Sequence, residues 1–334
     1  MTNHRKNLLQ ELEELRGTKI ICYIGADRQS ISTRVAPDII PVFYKHLVSL
    51  GPVKKLDLFL FTKGGDVLTA LRLVDLIYEF TDQFSILVPY KAYSAGTLIA
   101  LGASEIVMNR TGELSPIDPN VTSIFNPQDP LNSTARLPVS VEDIYSFFSV
   151  TKNLGIVNEE AMVQVFLRLL DSVQPLAIGS LYRSYLLIKD VAKKLLIRHL
   201  DTNFEEQKIN DIVEKLTKKY FSHNYLIGRK EALESLKLPI IYSSGLLESK
   251  IWSLYETYEA YLDLDKPYSP ELSADQDGHF MVSCGVIESL HLADEYIFKG
   301  VLEKDSSDTI RNVNILEQGW LRMDGDVQTK SRQW

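Results

Sequence analysis

Two turns in this sequence carry residue types that could do covalent chemistry. The first is Thr62-Lys63-Gly64-Gly65, which follows the apolar run at 56–61 (LDLFLF). Glycine lets a substrate carbonyl come close to the main chain, and the N–H groups of such a turn can converge on a cleft. On its own a Gly-Gly pair is more often a plain strand-to-helix turn. The second is Tyr93-Ser94-Ala95-Gly96, between the apolar run at 84–89 (FSILVP) and a stretch of small and apolar residues at 92–102. A serine before a helix is usually a cap. It also stands where the helix dipole and free N–H groups favour a developing negative charge. What raises the second reading is the pairing of the two turns. If both follow neighbouring strands, the amides of Ala95 and Gly64 could donate to one oxyanion while Ser94 attacks, which is the apparatus of acyl transfer.

Two further residues join the candidates. Asp118 lies between prolines in Ser115-Pro116-Ile117-Asp118-Pro119, which fixes its backbone, although Asp before Pro is a frequent turn residue. His223, alone among six histidines, lies in an aromatic turn, Tyr220-Phe221-Ser222-His223-Asn224-Tyr225. A lone histidine is more often structural than catalytic. His, Cys and Asp/Glu never fall at metal-ligand spacing, and no cofactor is called for.

The elements that must position these residues are legible as periodicity. Strand-like runs at 19–24, 56–61, 84–89 and 105–108 alternate with helical patterns at 37–50, 66–80 and 92–102. That order predicts βαβ units and a parallel α/β sheet, whose right-handed crossovers bring both turns to the carboxyl edge of the strands. Residues 112–138 form a proline-rich loop, and helices follow at 141–154, 159–172, 178–200 and 205–219, giving a helical second half. A short helix at 229–236 and a short strand at 238–242 come next. Residues 241–334 read as a small α+β extension: an aromatic helix at 246–262, then three strands at 279–287, 295–302 and 313–321 that alternate like an antiparallel set. The expected domains are therefore 1–240 and 241–334.

The net charge of −8 on 334 residues argues against a nucleic-acid surface, which needs a concentrated basic patch. The lysines at 189–194 and 215–219 are interrupted by acids and read as solvated helix faces. The two cysteines stand far apart, Cys22 within an apolar strand, as suits buried reduced thiols in the cytoplasm. No run approaches the roughly 18 apolar residues of a membrane span, and the charged N-terminus lacks the apolar core of a signal peptide.

FTKGGDVLTALRLVDLI, followed by VPYKAYSAGTLIALGASEIVMNRTGELSPIDP, resembles the Clp-protease/crotonase superfamily, and more narrowly the serine dehydrogenase proteinase family, distant relatives of the Clp proteolytic subunit and of signal peptide peptidase A. The segment SHNYLIGRKEALESLKLPI resembles that family's histidine segment, with Leu226 where proline is usual, and Ser115 stands where glycine is common. The resemblance spans roughly residues 15–240. It implies a Clp/crotonase-like fold and a peptidase acting on peptides or proteins through a Ser94–His223–Asp118 triad. Related enzymes of the superfamily use a lysine as base, which makes Lys91, three residues before Ser94, the alternative; a lysine must be desolvated before it accepts a proton at neutral pH, and a histidine need not be. The Gly64–Gly65 turn and Ala95 would be the oxyanion donors. The resemblance also implies a homo-oligomer; the aromatic stripe at 246–262, within the extension left open for a partner protein, could serve as an interface, although core packing is the commoner use of such spacing. Two other readings stand beside it. A crotonase-like acyl-CoA enzyme would use the same amides without a nucleophilic serine, and a non-catalytic oligomeric scaffold would need neither.

Overall fold

The computed structural model describes residues 3–117, 120–121, 124–129, 132, 134–137, 139–200, 202–220, 222–304 and 310–323. In chain order these form α1 (Asn3–Arg16), β1 (Lys19–Gly25), β2 (Asp27–Arg28), β3 (Ile31–Ser32), α2 (Ile39–Leu50), β4 (Val53–Phe61), α3 (Val67–Tyr78) and β5 (Thr81–Val88). Then come β6 (Lys91–Ala92), α4 (Ala95–Leu101), β7 (Glu105–Met108), β8 (Glu113–Leu114), β9 (Asn120–Val121) and β10 (Val139–Ser140). The helices α5 (Val141–Asn153), α6 (Glu159–Ser172), α7 (Pro175–Leu196) and α8 (Thr202–Glu214) follow, the last running into a π-turn at Lys215–Lys219. The chain closes with β11 (Ile227–Gly228), α9 (Arg229–Glu234), β12 (Ile240–Tyr242), α10 (Gly245–Leu262), β13 (His279–Glu288), β14 (Ala293–Lys304) and β15 (Ile310–Arg322).

These elements divide into two compact units, one made of residues 1–114 with 227–334 and the other of residues 115–226. The first is a mixed α/β unit built on an eight-stranded sheet in the order β12-β7-β5-β4-β1-β13-β14-β15. From β12 to β1 neighbouring strands are parallel, and β13, β14 and β15 continue antiparallel. The parallel strands are near-continuous apolar runs because helices cover both faces. Along β1 the side chains alternate. Cys22 and Ile24 join Phe59, Phe61 and the α10 residues Leu254, Tyr255 and Tyr258 in one buried cluster, together with Leu9 and Leu12 of α1. Tyr23 faces the other way and meets Phe43 of α2 edge-on at 6.0 Å. Each such fully buried side chain contributes about 1.5–3 kcal/mol relative to exposure.

The second unit is helical. Ser140 caps α5 in a capping box with Asp143, Asn158 caps α6, and Leu181, Tyr185, Ile188, Val191 and Leu195 form the buried stripe of α7. Lys189 and Lys218 both pair with Glu214, so part of the expected solvated lysine face is a local ion-pair network.

Two expectations are corrected. The division at 240/241 is not where the chain parts: β13, reached only at His279, pairs with β1 in the middle of the sheet, so the described residues from 241 onward belong with the first unit. The helix expected at 92–102 starts at Ala95, because Ala92 is in a strand and Ser94 has a non-helical backbone. Among the described residues no single helix is long and apolar enough to cross a membrane. Only α6 and α7 taken together would pass on length and composition, and they meet at a 100° bend.

Candidate active site

The short parallel bridge Thr62↔Ala92 joins the ends of β4 and β6. Thr62 N–H donates to Lys91 C=O at 2.9 Å, and Tyr93 N–H donates to Thr62 C=O at 3.0 Å. The Gly64–Gly65 turn and the Ser94 turn therefore run side by side. On the far side of the glycine turn lies Val35, whose N–H donates to Gly64 C=O at 2.9 Å and whose C=O accepts from Asp66 N–H at 2.7 Å. The turn is thus held from both flanks by main chain.

Both glycines are required by contact as well as by backbone angle. Gly64 has φ 104°, and a Cβ on it would stand 2.6 Å from Ser94 Cβ, 2.7 Å from Tyr93 O and 3.1 Å from Ala95 N. Gly65 has φ 156°, and a Cβ there would lie 2.1 Å from Val35 O. No side chain fits at either position: the main chain of Gly64 comes directly against Ser94 and Ala95, and that of Gly65 against Val35.

Ser94 itself adopts φ 52°, ψ −110°. An L residue in that region costs roughly 1–3 kcal/mol, and such conformations persist where the surroundings enforce them, most often at functional sites. Here the enforcement comes from the Thr62–Tyr93 hydrogen bond on one side and α4 on the other: Gly96 N–H donates to Tyr93 C=O at 2.7 Å and Leu98 N–H to Ser94 C=O at 3.0 Å. The sharp strand-to-helix bend leaves Ser94 half-buried while Ala95 to Leu101 are buried.

The directions of the amides follow from the planar trans peptide, in which C=O and N–H point oppositely. Gly64 C=O points at Val35, so Gly65 N–H points away from Val35. Ser94 C=O points into α4, so Ala95 N–H points out of the helix start. Gly64 N–H is committed: it donates to the buried Thr62 Oγ1 at 3.1 Å. No acceptor for Gly65 N–H is found among the described residues.

Around this core lie further ionisable groups. Lys91 Nζ donates to Asp27 Oδ2 at 3.1 Å, and Lys63 Nζ lies 3.6 Å from Asp27 Oδ1. The Tyr93 phenol donates to Glu113, and burial, reinforced by that carboxylate, pushes the phenol well above its ordinary titration range. Asp66 caps α3, accepting from Thr69 N–H at 2.7 Å. Nothing in the sequence marks Val35, Thr62 or Asp27 for these contacts; each depends on strand pairing across tens of residues.

Of the other candidates, Asp118 lies outside the described residues. His223 belongs to the second unit, half-buried in a turn closed by Tyr225 N–H donating to Ser222 C=O at 3.1 Å and by the Tyr220 and Tyr225 rings 4.6 Å apart. A different histidine sits in a serine–histidine–aspartate row: His46 Nδ1 is 2.9 Å from Ser289 Oγ and Nε2 is 2.9 Å from Asp294 Oδ2. All three are buried, so no substrate reaches them, and the row ties α2 to the β13–β14 connection.

Residues 1–133, which hold both turns, match the family model of ClpP-like SDH-type serine proteinases. Two uncharacterized proteins of Methanocaldococcus jannaschii are also similar. MJ1495 is 30% identical over 129 residues, 35% of this chain and 42% of the relative; MJ0137 is 38% identical over 68 residues, 20% and 24% respectively. The chain therefore spans less than half the length of these curated relatives. Among solved structures, a mutant of the membrane-bound stomatin-specific protease 1510-N is 14% identical with a TM-score of 0.38, over 65% of this chain and 78% of that one. A second mutant of that protease, in complex with a substrate peptide, is 16% identical with a TM-score of 0.35, over 64% and 74%.

Proposed function

We propose that this chain is a serine peptidase that cleaves peptide bonds through an acyl-enzyme on Ser94. One observation carries the reading. Ser94 is held at φ 52° directly against Gly64, where an added Cβ would stand 2.6 Å from Ser94 Cβ and 3.1 Å from Ala95 N, so a hydroxyl-bearing residue and a helix-start amide lie against the glycine turn. In the proposed step Ser94 Oγ attacks the substrate carbonyl and loses its proton. The negative charge that develops on the carbonyl oxygen is received by the N–H groups of Gly65 and Ala95. Between the two glycines Gly65 is the better donor, since Gly64 N–H already serves Thr62. His223 is the proposed proton acceptor and Asp118 its orienting acid, both on the family resemblance. Lys91 is the weaker base: its ammonium is engaged with Asp27, and an ammonium has no lone pair with which to accept a proton.

An acyl-CoA enzyme of the crotonase kind would need the amides but not a strained serine, so the backbone at Ser94 favours the peptidase. The two cysteines are buried and unpaired, which fits a cytoplasmic setting. Assembly into a homo-oligomer on peptide or protein substrates remains part of the proposal. The test is hydrolysis of an unfolded protein substrate by the full chain and by Ser94→Ala and His223→Ala. The reading predicts loss of at least a thousandfold for both. Unchanged turnover in Ser94→Ala would reject it, and unchanged turnover in His223→Ala alone would move the base elsewhere.

A further inference from the structure

We propose that Asp27 is a positioning residue that clamps the two turns of the candidate site into register, an inference that rests on the peptidase reading above. Its carboxylate reaches both halves of the site. Oδ1 faces Lys63, the residue before Gly64, and Oδ2 faces Lys91, the residue that opens the strand leading to Ser94. The Thr62↔Ala92 bridge explains why: alternation along the paired segments puts Lys63 and Lys91 on one face, while Thr62 and Ala92 are buried on the other. The side chains of Asp27, Lys63 and Lys91 are each a quarter to a third exposed, so the clamp sits at the rim rather than in the core.

A clamp is only as rigid as its support, and Asp27 is well supported. The preceding Ala26 N–H donates to Cys284 C=O at 2.7 Å, and Thr33 N–H donates back to Ala26 C=O at 2.9 Å. The guanidinium of Arg28 donates to the carbonyls of Leu262, Lys266 and Pro267, and Tyr268 N–H donates to Gln29 C=O at 3.0 Å. The same loop continues to Val35, which holds Gly64 and Asp66 from the other flank. Residues 26–35 thus grip the glycine turn by main chain and tie it to the serine turn by charge. Without the carboxylate, two ammonium groups on adjoining segments would repel each other and lose their shared partner. A displacement of about an ångström between nucleophile and oxyanion donors can cost on the order of a hundredfold in rate.

The test follows fluorophosphonate labelling of Ser94 in the full chain, resolved into maximal rate and half-saturating probe concentration. Amide hydrogen exchange at Thr62 and Tyr93 is followed in the same proteins. Asp27→Asn should lower the maximal rate at least tenfold and leave the half-saturating concentration within twofold. It should also speed exchange at both amides at least tenfold, and Asp27→Glu, which keeps a carboxylate, should recover most of both losses. A role in overall stability alone would not give that kinetic split or that rescue. Unchanged labelling with unchanged exchange would overturn the clamp. A rise in labelling whose pH dependence follows a lysine would overturn it too, since Asp27 would then be restraining Lys91 from acting as base. If the unaltered chain takes no probe, the peptidase reading fails and exchange at the two amides decides the clamp alone.

Discussion

Replacing Ser94 by glycine should make the protein more stable than replacing it by alanine, the reverse of the usual order. At an ordinary position glycine costs about 0.5–1 kcal/mol relative to alanine, because the unfolded chain gains freedom. Ser94 is not ordinary. At φ 52°, ψ −110° a Cβ costs roughly 1–3 kcal/mol, and alanine keeps that Cβ in the space beside Gly64 whereas glycine removes it. The difference leaves Ser94→Gly more stable than Ser94→Ala by about 1 kcal/mol. Urea unfolding followed by tryptophan fluorescence reads this directly, since Trp252 and Trp320 both lie in the first unit. With a slope of about 2–3 kcal/mol per molar urea, the midpoint of the glycine variant should lie roughly 0.3–0.5 M above that of the alanine variant. A glycine variant equal to or weaker than alanine would refute the argument that the fold holds residue 94 in a strained conformation.

Three further outcomes follow from the contacts. Gly65→Ala must displace Val35, whose carbonyl oxygen would lie 2.1 Å from the new Cβ, so stability should fall by about 2 kcal/mol or more and peptide hydrolysis at least tenfold, as read by urea titration and turnover. Arg5→Met strands the fully buried Glu288, which Arg5 Nε meets at 2.7 Å; removing one partner of such a pair should cost about 3–5 kcal/mol, and pairing it with Glu288→Gln should recover part of the loss in a double-mutant cycle. Asp294 gives a pH signature: burial alone would push its carboxyl up, but hydrogen bonds from His46 and Arg322 outweigh that and hold it below the usual range. Its stabilising contribution is therefore present above the unfolded-state value near pH ~3.9 and is lost as pH falls through the lower folded value, so Asp294→Asn should flatten the acid limb of the stability curve below pH ~4.

What the sequence made legible, and what it did not, divides by range. The strand, Gly-Gly turn and capped helix at 56–78 could be read locally, because apolar runs of strand length and an Asp cap leave little choice. The same holds for the helices at 159–172 and 246–262. The start of α4 lies three residues beyond the one the pattern predicts, since small apolar residues favour helix and nothing local announces the backbone imposed on Ser94 by its neighbours. The placement of β13 beside β1 was hidden for another reason. A strand's own pattern gives its type, but its partner depends on which edge of the sheet stays open once the βαβ units have closed, and here that edge waits for a segment more than two hundred residues later. The contacts of Val35 and Asp27 with the site are products of the same long-range pairing. Of the residues proposed for catalysis, the turn residues Gly64, Gly65, Ser94 and Ala95 fall together in the first unit, while His223 and Asp118 rest on resemblance.

The most direct measurement is the mass of the full chain after treatment with a fluorophosphonate, followed by peptide mapping of the modified residue. The account predicts one covalent adduct per chain, located on Ser94 and absent from Ser94→Ala. A native, folded chain that takes no adduct, or takes it on another residue while position 94 stays unmodified, would contradict it.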